Sequence, residues 1–535
     1  MARIRVIDCT LRDGGYYNAW NFDVDLVNEY LAAMHAAGVD YVEVGFRSFE
    51  KSGFKGACAY TTDNYIRTLK IPEGQVLGVM VNAAEIVNHP AGVVGATSLL
   101  FSSAHLSPVD LVRFACHFHE FEATLQACDW LKANGYRVGI NLMQVADRTE
   151  EELHHIGRLA SAHDLDVLYF ADSLGSMDAA QTERIVRALR VAWSGEMGIH
   201  THDNMGRAVS NTLKAVECGV AWVDSTVTGM GRGPGNAQTE YVLMELEAER
   251  PGRMNLSPLM SLIRRRFGPM QFECGWGKNP YYFLSGKYGI HPTYIQEMLS
   301  DPRYGEAEIL SVIDHLRQVG GKKFRSDLME QGRQASSGAS SGGWRPDVSF
   351  RGRDVLIIGA GPSAAVHAPA IEDYVLRAKP IVMVLNTSEP VRAELVDYRV
   401  ACHAFRLMAD SHRYEVLGHR LIAPVGQMDD SLRDSLGGVE ILDFGLSVES
   451  MAFEFRGDGA VVPTSLAIAY ALAVCSSGHA KAIKLAGFDG FSSDDPRQIE
   501  MSELFAAYAA AEGAVPLESI TPTSYKIPVT SVYAL

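Results

Sequence analysis

Along the first 250 residues, short apolar runs alternate with stretches of helical periodicity. The runs are RIRVIDC, VDYVEVGF, VLGVMVN, TSLLF, RVGINLM, DVLYFAD, EMGIHTH and AWVDSTV. Parallel strands covered on both faces read as near-continuous apolar segments, so eight of them alternating with helices predict a (β/α)8 TIM barrel over residues 1–250. An open doubly wound sheet fits the same alternation. The polar positions favour the barrel, because Asp13, Glu43, Arg47, Asn82, Asn141, Asp172, His200, His202 and Asp224 fall at or just past the C-terminal ends of the runs. That is the face on which barrel enzymes carry their chemistry.

Beyond the barrel the pattern changes twice. Residues 251–325 hold SPLMSLIRRRF, PYYFLSGKYG, PTYIQEML and AEILSVIDHLRQV between Gly and Pro breaks, which predicts an all-helical appendage. Residues 326–352 include QGRQASSGASSGGWRPD, nearly free of apolar side chains, and predict a flexible Gly/Ser linker. From 353 to 535 the runs DVLIIGAGPSA, PIVMVLN, RLIAPV, VEILDFG and AIKLAGFDGF mix with helical stretches such as PTSLAIAYALAVC, the pattern of a second, Rossmann-like α/β domain.

Composition narrows the function classes. A chain of 535 residues exceeds one compact core, in keeping with several domains. The opening MARIRVIDCT lacks the apolar run of a signal peptide, and no later stretch holds about 18 uninterrupted apolar residues. The expectation is a cytoplasmic protein with no membrane partner. Eight cysteines, at 9, 58, 116, 128, 218, 274, 402 and 475, form no CxxC pair and read as reduced, mostly core thiols. A net charge of −16 argues against a nucleic-acid surface, which requires clustered Lys and Arg. The basic run Arg264–Arg266 reads as a solvated helix face.

His200 and His202 flank one residue in a segment that reads as a strand, where residues i and i+2 share a face, so both imidazoles can reach one metal. His117 and His119 form the same HxH in ACHFHEFEATLQACDWL, but helical periodicity there sends their side chains apart. TLRDGG places Arg12 and Asp13 just after the first strand, where a carboxylate completes a facial two-His, one-carboxylate set. GMGRGPGNAQTE puts Asn236 after the eighth strand, beside the first in a closed barrel. Each of these last two segments also reads as an ordinary turn.

DCTLRDGG, ADSLGSM and GIHTHDNMGRAVSNTLKAVECGVAWVDSTVTGMGRGPGNAQTE closely resemble the DRE-TIM metallolyases (HMGL-like, or pyruvate carboxyltransferase, domains), within them the 4-hydroxy-2-oxovalerate aldolase branch. The resemblance covers about residues 1 to 250 and continues more weakly to about 320. It implies a barrel lyase that uses Mn²⁺ or Mg²⁺ to bind a 2-oxo acid, and a homo-oligomer. Asp13, His200 and His202 then match the ligands, Asn236 a fourth ligand of the synthase and lyase branches, and Arg12 the arginine that stabilises the enolate. C–C cleavage beside a ketone leaves an enolate, which a Lewis acid and a guanidinium at its oxygen stabilise.

The sequence departs from the family at Tyr16, which stands where the aldolases carry a catalytic-base histidine. Tyr16 then relays a proton through water or the task moves elsewhere. Trp276 aligns with the appendage tyrosine of the aldolases, so the aldehyde is expected to differ from the family's usual small one. Glu43, Arg47 and Lys55, in or beside the loop after strand two, are candidates for binding an anionic or hydroxylated substrate, with a solvated loop as the plain alternative. Asp172 and Ser173 match the family's ADS segment beside the metal and the substrate, where hydrogen bonding to the ligands is expected. Asp203 and Asn204 read as structural helpers.

In the second domain, GAGPSA satisfies GxGxxA at Gly359, Gly361 and Ala364, before a helix whose first amides, around Ser363, can hold a phosphate. The acidic residue that would hold a ribose is missing, since PIVMVLN ends in Asn386. IIGAGPS, VMVLN, LAGFDGF and TPTSYKIPVTSVYAL faintly resemble sialyltransferase-like and motility-accessory domains. That resemblance implies a nucleotide or sugar-nucleotide ligand and a place in surface-sugar metabolism.

These readings combine into a divalent-metal-dependent aldolase that interconverts a 4-hydroxy-2-oxo acid with pyruvate and an aldehyde through an enolate. Two rivals stand beside it. A Claisen-type acyl-CoA transferase like isopropylmalate synthase would need a CoA site, and no feature of the second domain suggests one. An inactive barrel scaffold would not need Arg12 and the intact ligand set.

Overall fold

The structure, a computed structural model, describes residues 3–250, 252, 254–334, 341–428, 430–449, 451–492 and 494–535. Contacts group residues 1–296 with 320–324 as a first unit, and 297–319 with 325–535 as a second. Among the described residues no helix is long and apolar enough to cross a membrane.

In the first unit eight parallel strands close into a barrel in sequence order. They are β1 (Arg5–Asp8), β2 (Tyr41–Phe46), β3 (Val76–Asn82), β4 (Leu111–Cys116), β5 (Arg137–Leu142), β6 (Val167–Asp172), β7 (Glu196–Thr201) and β8 (Trp222–Ser225). The ring shuts where β1 pairs with β8, Ile7 opposite Asp224. Residues of one parity pack outward on the helices, and those of the other fill the interior. At the base Tyr41, Leu111, Val167 and Trp222 form an apolar layer. Two residues further along the same four strands come Glu43, Arg113, Tyr169 and Asp224. Strand alternation thus lays a polar layer directly on an apolar floor.

Seven of the eight strands lie in the runs expected to form them, and the fourth does not. TSLLF falls within and just after a helix, Gly92–Leu100, while the strand is LVRFAC at Leu111–Cys116. Its apolar run is interrupted by Arg113, which disguised it. ACHFHEFEATLQACDWL is also not one helix. Glu120 accepts the His117 amide (2.9 Å) and opens a 3-10 turn, Phe118–Glu120, and the α-helix starts only at Phe121. After the barrel come the helices Ser257–Leu262, Gly268–Cys274 and Pro280–Tyr288. The run Arg264–Arg266 lies in a π-helical segment, Ile263–Phe267, where Arg265 and Arg266 pair with Glu29.

The segment expected as a linker carries the helices Ser326–Gln334 and Asp347–Phe350, and its residues 335–340 lie outside the described residues. The second unit is built on β9 (Asp354–Ile358), β10 (Ile381–Leu385), β11 (Tyr398–Val400), β12 (Arg420–Ala423) and β13 (Ile441–Asp443). There follow β14 (Gly445–Val448), β15 (Glu454–Phe455) and β16 (Gly459–Val462), which form a small separate sheet, then β17 (Ala482–Ala486) and β18 (Leu517–Ser519). The main sheet is parallel, in the order β13-β12-β11-β10-β9-β17-β18. The strand order reverses at β9/β17, as in doubly wound folds. Val355 and Ile357 pack into one core, Leu356 and Ile358 into another, so both sheet faces are covered.

One barrel carboxyl ties stability to pH. Glu240, in the helix Thr239–Glu245, is 6% exposed and accepts the Thr228 amide at 3.1 Å. Burial pushes it up to about 7 in spite of its amide bonds, and the nearby Asp8 adds to the rise. A carboxyl raised on folding stabilises the fold fully below its unfolded value, about 4.3, and loses that contribution as pH rises through 7. Glu240→Gln is therefore expected to be more stable than the wild type by about 3 kcal/mol at pH 8.5 and by only about 1 kcal/mol at pH 5. Urea unfolding at both pH values checks this, and an equal difference at both would refute it.

Candidate metal centre and substrate cavity

At the C-terminal mouth of the barrel, β7 presents His200 and His202 with ring centroids 5.1 Å apart and planes near perpendicular. Each imidazole is anchored through Nδ1. His200 Nδ1 lies 3.1 Å from Asp224 Oδ2, and His202 Nδ1 lies 3.0 Å from the Asp172 carbonyl oxygen. Both partners can only accept, so both Nδ1 atoms carry a proton and both rings are fixed in orientation. Burial first, then the charges of His200 and Arg232, push His202 down to about 3 against the pull of Asp13, which keeps it neutral. Carboxylate and carbonyl groups behind histidines in this way are the usual support of metal-binding imidazoles.

Asp13 stands across from them, its Oδ2 3.5 Å from His200 Nε2. It ends the helical turn Thr10–Asp13, which continues into a 3-10 turn, Gly14–Tyr16. The two glycines of RDGG serve close packing, since a Cβ at Gly14 would lie 2.5 Å from Met230 Sδ and one at Gly15 2.0 Å from Trp20 Cδ1. Both Asp13 oxygens are engaged. Oδ1 accepts from Arg12 Nη1 at 2.5 Å, and Oδ2 from Asn236 Nδ2 at 2.8 Å. Burial raises Asp13, but Arg12 and then His200 and His202 outweigh it and hold the carboxyl below its ordinary range.

Beneath this set lies a buried charge network. Arg12 Nε donates to Glu43 Oε2 (2.8 Å), Arg113 Nε to Glu43 Oε1 (2.9 Å), and Arg113 Nη1 to both Asp224 oxygens (2.8 and 2.9 Å). Burial would raise Asp224, yet Arg113, then His200 and Arg12, bring it down to about 2. Three carboxylates, Asp13, Glu43 and Asp224, thus share two guanidiniums in this network, and a third guanidinium, that of Arg232, lines the cavity at the mouth.

Among the described residues no three His, Cys, Asp or Glu side chains stand ready to hold a metal ion as arranged, because Asp13 is turned to Arg12 and Asn236. The site nevertheless fits a cation on two counts: two imidazoles tied back through Nδ1 beside the Asp13 carboxylate, and the buried Asn236 Oδ1, which has no hydrogen-bond partner. Arg12 Nη2 is likewise buried without a partner.

Arg12, Asp13, Tyr16, Asn82, Asn141, Ser173, His200 and His202 line one cavity of about 280 Å³. The structure therefore gathers most of the residues expected at the site. Asp172 borders it through its carbonyl, while its carboxylate accepts the amides of Ser176 and Met177, and burial pushes that carboxyl up to about 6. Ser173 accepts the Gln144 amide. Asp203 and Asn204 tie loops together, accepting from Ala208 and donating to Ser285 respectively. Two expected substrate contacts lie elsewhere. Glu43 has both oxygens on arginines, and Arg47 is spent on the Thr61 carbonyl and Asp63.

Three residues that sequence reasoning did not single out, and one, His117, that it set aside as helical, matter here. Arg113 is signalled only by a charge inside an apolar run. His117 lines the cavity at the end of β4, its ring stacked 5.7 Å from that of His119. Arg232 and His291 also line it, and no sequence periodicity marks either. Trp276, aligned with the appendage tyrosine, donates to the Thr228 carbonyl instead.

The glycine turn of the second unit is closed on itself. The Ser363 amide and hydroxyl both donate to Asp489, at 3.1 and 2.9 Å, and a Cβ at Gly361 would lie 2.1 Å from an Asp489 oxygen. At Gly359 a Cβ would lie 2.8 Å from the Gly487 carbonyl oxygen. These glycines admit a neighbouring loop, and a carboxylate occupies the amide a phosphate would need. As arranged, Gly359, Gly361 and Ser363 do not fit a nucleotide phosphate.

A match to the HMGL-like family spans residues 3–264. An oxaloacetate decarboxylase of Mycobacterium tuberculosis is 28% identical over 312 residues, covering 58% of this chain and 89% of that protein. A 4-hydroxy-2-oxovalerate aldolase of Carboxydothermus hydrogenoformans is 30% identical over 247 residues, 46% of this chain and 70% of that protein. Among solved structures, the N-terminal domain of a candidate aldolase from Bacteroides vulgatus is 26% identical with a TM-score of 0.50, covering 56% of this chain and 97% of that one.

The charge network sets a stability test. Arg113→Met leaves Glu43 and Asp224 buried without their shared cation, an expected loss of about 3–5 kcal/mol in urea unfolding. A loss below about 1 kcal/mol would show that the network does not depend on Arg113.

Proposed function

The chain belongs to the HMGL-like family, and from that premise we propose that its barrel is a divalent-cation-dependent carbon–carbon lyase interconverting a 4-hydroxy-2-oxo acid with pyruvate and an aldehyde. One observation carries the reading: two imidazoles locked by Asp224 and the Asp172 carbonyl line one cavity with Asp13, His200 Nε2 lying 3.5 Å from Asp13 Oδ2, together with an Arg12 whose Nη2 makes no hydrogen bond. Asp13, His200 and His202, with Asn236 as a fourth donor, would hold the cation. When bound, a divalent cation, Mn²⁺ or Mg²⁺, supplies a Lewis acid to a keto oxygen.

The chain's own residues do the rest. Arg12 Nη2 is placed to donate to an oxygen that gains negative charge as the C3–C4 bond breaks, and in a buried site such a bond is worth far more than in water. Asn141, with a buried and unpartnered Oδ1, and Ser173 supply polar contacts for the 2-oxo acid. The C4 hydroxyl proton needs an acceptor. His117 faces the cavity as an imidazole lowered by burial and takes that role where Tyr16 replaces the family base, whereas His291, its Nδ1 occupied by the Thr293 amide, carries its hydrogen on Nε2 and can only donate.

Tyr16 also favours a second reading, decarboxylation of oxaloacetate, the reaction for which one relative is named. That reaction breaks the same bond and leaves the same pyruvate enolate, with no hydroxyl proton to remove. Release of CO2 from oxaloacetate, against release of an aldehyde from 4-hydroxy-2-oxo acids, separates the two.

Either reading requires pyruvate to enolise. The wild type with Mg²⁺ in D2O should exchange the pyruvate methyl protons, followed by NMR, and chelator or His200→Ala should slow exchange at least about 100-fold. Absence of exchange in folded, Mg²⁺-supplied protein would return weight to the acyl-CoA transferase and scaffold readings.

A further inference from the structure

Arg232 is the cavity's uncommitted cation. Of the cavity's two guanidiniums, Arg12 is bound to Asp13 and Glu43, whereas Arg232 makes no ion pair and no side-chain hydrogen bond among the described residues. The only carboxylate lining the cavity, Asp13, has both oxygens engaged. Arg232 is nevertheless held in place. Its guanidinium carbon lies 4.0 Å from the centroid of the Tyr16 ring, and that ring is braced edge-on by Trp20 at 5.0 Å. Stacking of this kind uses the guanidinium face and leaves its N–H edges free, and that planar fork matches a carboxylate in bidentate fashion.

In the proposed function Arg12 already serves the 2-oxo acid; its Nη2 makes no hydrogen bond and lies 4.0 Å from Asp224 Oδ2. Arg232 shares the cavity wall with His291, whose imidazole burial and then Arg232 lower, and its charge reaches His202 as well. His291 Nδ1 accepts the Thr293 amide at 3.3 Å, so its neutral form carries hydrogen on Nε2 and adds a second donor there. Two donors without a carboxylate between them make that wall of the cavity selective for an anion.

We infer that Arg232 binds an anionic group on the aldehyde partner, so that the barrel joins pyruvate to a small carboxylate-bearing aldehyde and cleaves the corresponding dicarboxylic 4-hydroxy-2-oxo acid. The inference rests on the aldol reading above. In the condensing direction pyruvate C3 gives up one proton, its electron pair bonds the aldehyde carbon, and the aldehyde oxygen takes up a proton, so no further reactant is needed. A cavity of about 280 Å³ is at the small end for ligand sites, which suits partners of two to four carbons.

The test compares aldehydes of matched shape with pyruvate and Mg²⁺, a carboxylate against an isopropyl end: 4-oxobutanoate against 4-methylpentanal, and glyoxylate against 2-methylpropanal. The wild type is expected to favour the anionic member at least about tenfold in kcat/KM, the scale of one charge-assisted hydrogen bond. Arg232→Gln should bring the ratio to within about twofold, and Arg232→Lys should keep part of it because the charge stays. No preference in the wild type, or an equal loss for both aldehydes in Arg232→Gln, overturns the inference. Pyruvate methyl exchange in the same samples without aldehyde separates the cases. Exchange without charge preference sinks this inference alone, and no exchange in the wild type sinks the lyase reading with it.

Discussion

Arg113, fully buried at the centre of the barrel, is the cation that Glu43 and Asp224 share, and the order of the mouth depends on that bridge. Asp224 in turn fixes the His200 ring through Nδ1, and Glu43 fixes Arg12 through Nε. Taking an ion out of water costs several kcal/mol, so such a network persists only when nearly every lone pair and proton is matched. The stacking of the Arg113 guanidinium over the Tyr169 ring, 4.6 Å from its centroid, sets its height against the apolar floor. The floor, the charge layer and the histidines are thus three successive levels, each locating the next.

Much of this order was legible in the sequence because the relevant period is two. Tyr41 and Glu43, and Trp222 and Asp224, are i, i+2 pairs on one strand, and His200 and His202 keep the same spacing across the end of β7, so strand geometry sends both members inward. The fourth strand escaped for the same physical reason that makes it important. Arg113 breaks the apolar run that marks a buried strand, so LVRFAC looked less strand-like than TSLLF, which the structure places on a helix and just past its end. A charge inside an apolar run carries its own information, since it is tolerated only where opposite charges converge.

The rest of the cavity comes from loops and the appendage, where no periodicity speaks. His117 was read into a helix that begins four residues later, and Arg232 and His291 reach the cavity from segments remote in sequence from β7. The glycine pattern GAGPSA failed differently. Glycine permits close approach whatever approaches, and the sequence cannot tell a phosphate from a neighbouring loop. Here the approaching group is Asp489, at the β9/β17 switch point where open α/β sheets usually place ligands.

The groups at the mouth are matched oxygen by oxygen. Asp13 gives its two oxygens to different partners: Oδ1 accepts from Arg12 Nη1, and Oδ2, the oxygen 3.5 Å from His200 Nε2, accepts from Asn236 Nδ2. A cation seated between Asp13 and His200 would therefore compete with the Asn236 amide and leave the Arg12 bridge in place. Turning that amide over would exchange its donor for Oδ1, which is buried and makes no hydrogen bond, so Asn236 rather than Arg12 is the group that would have to answer the arrival of positive charge.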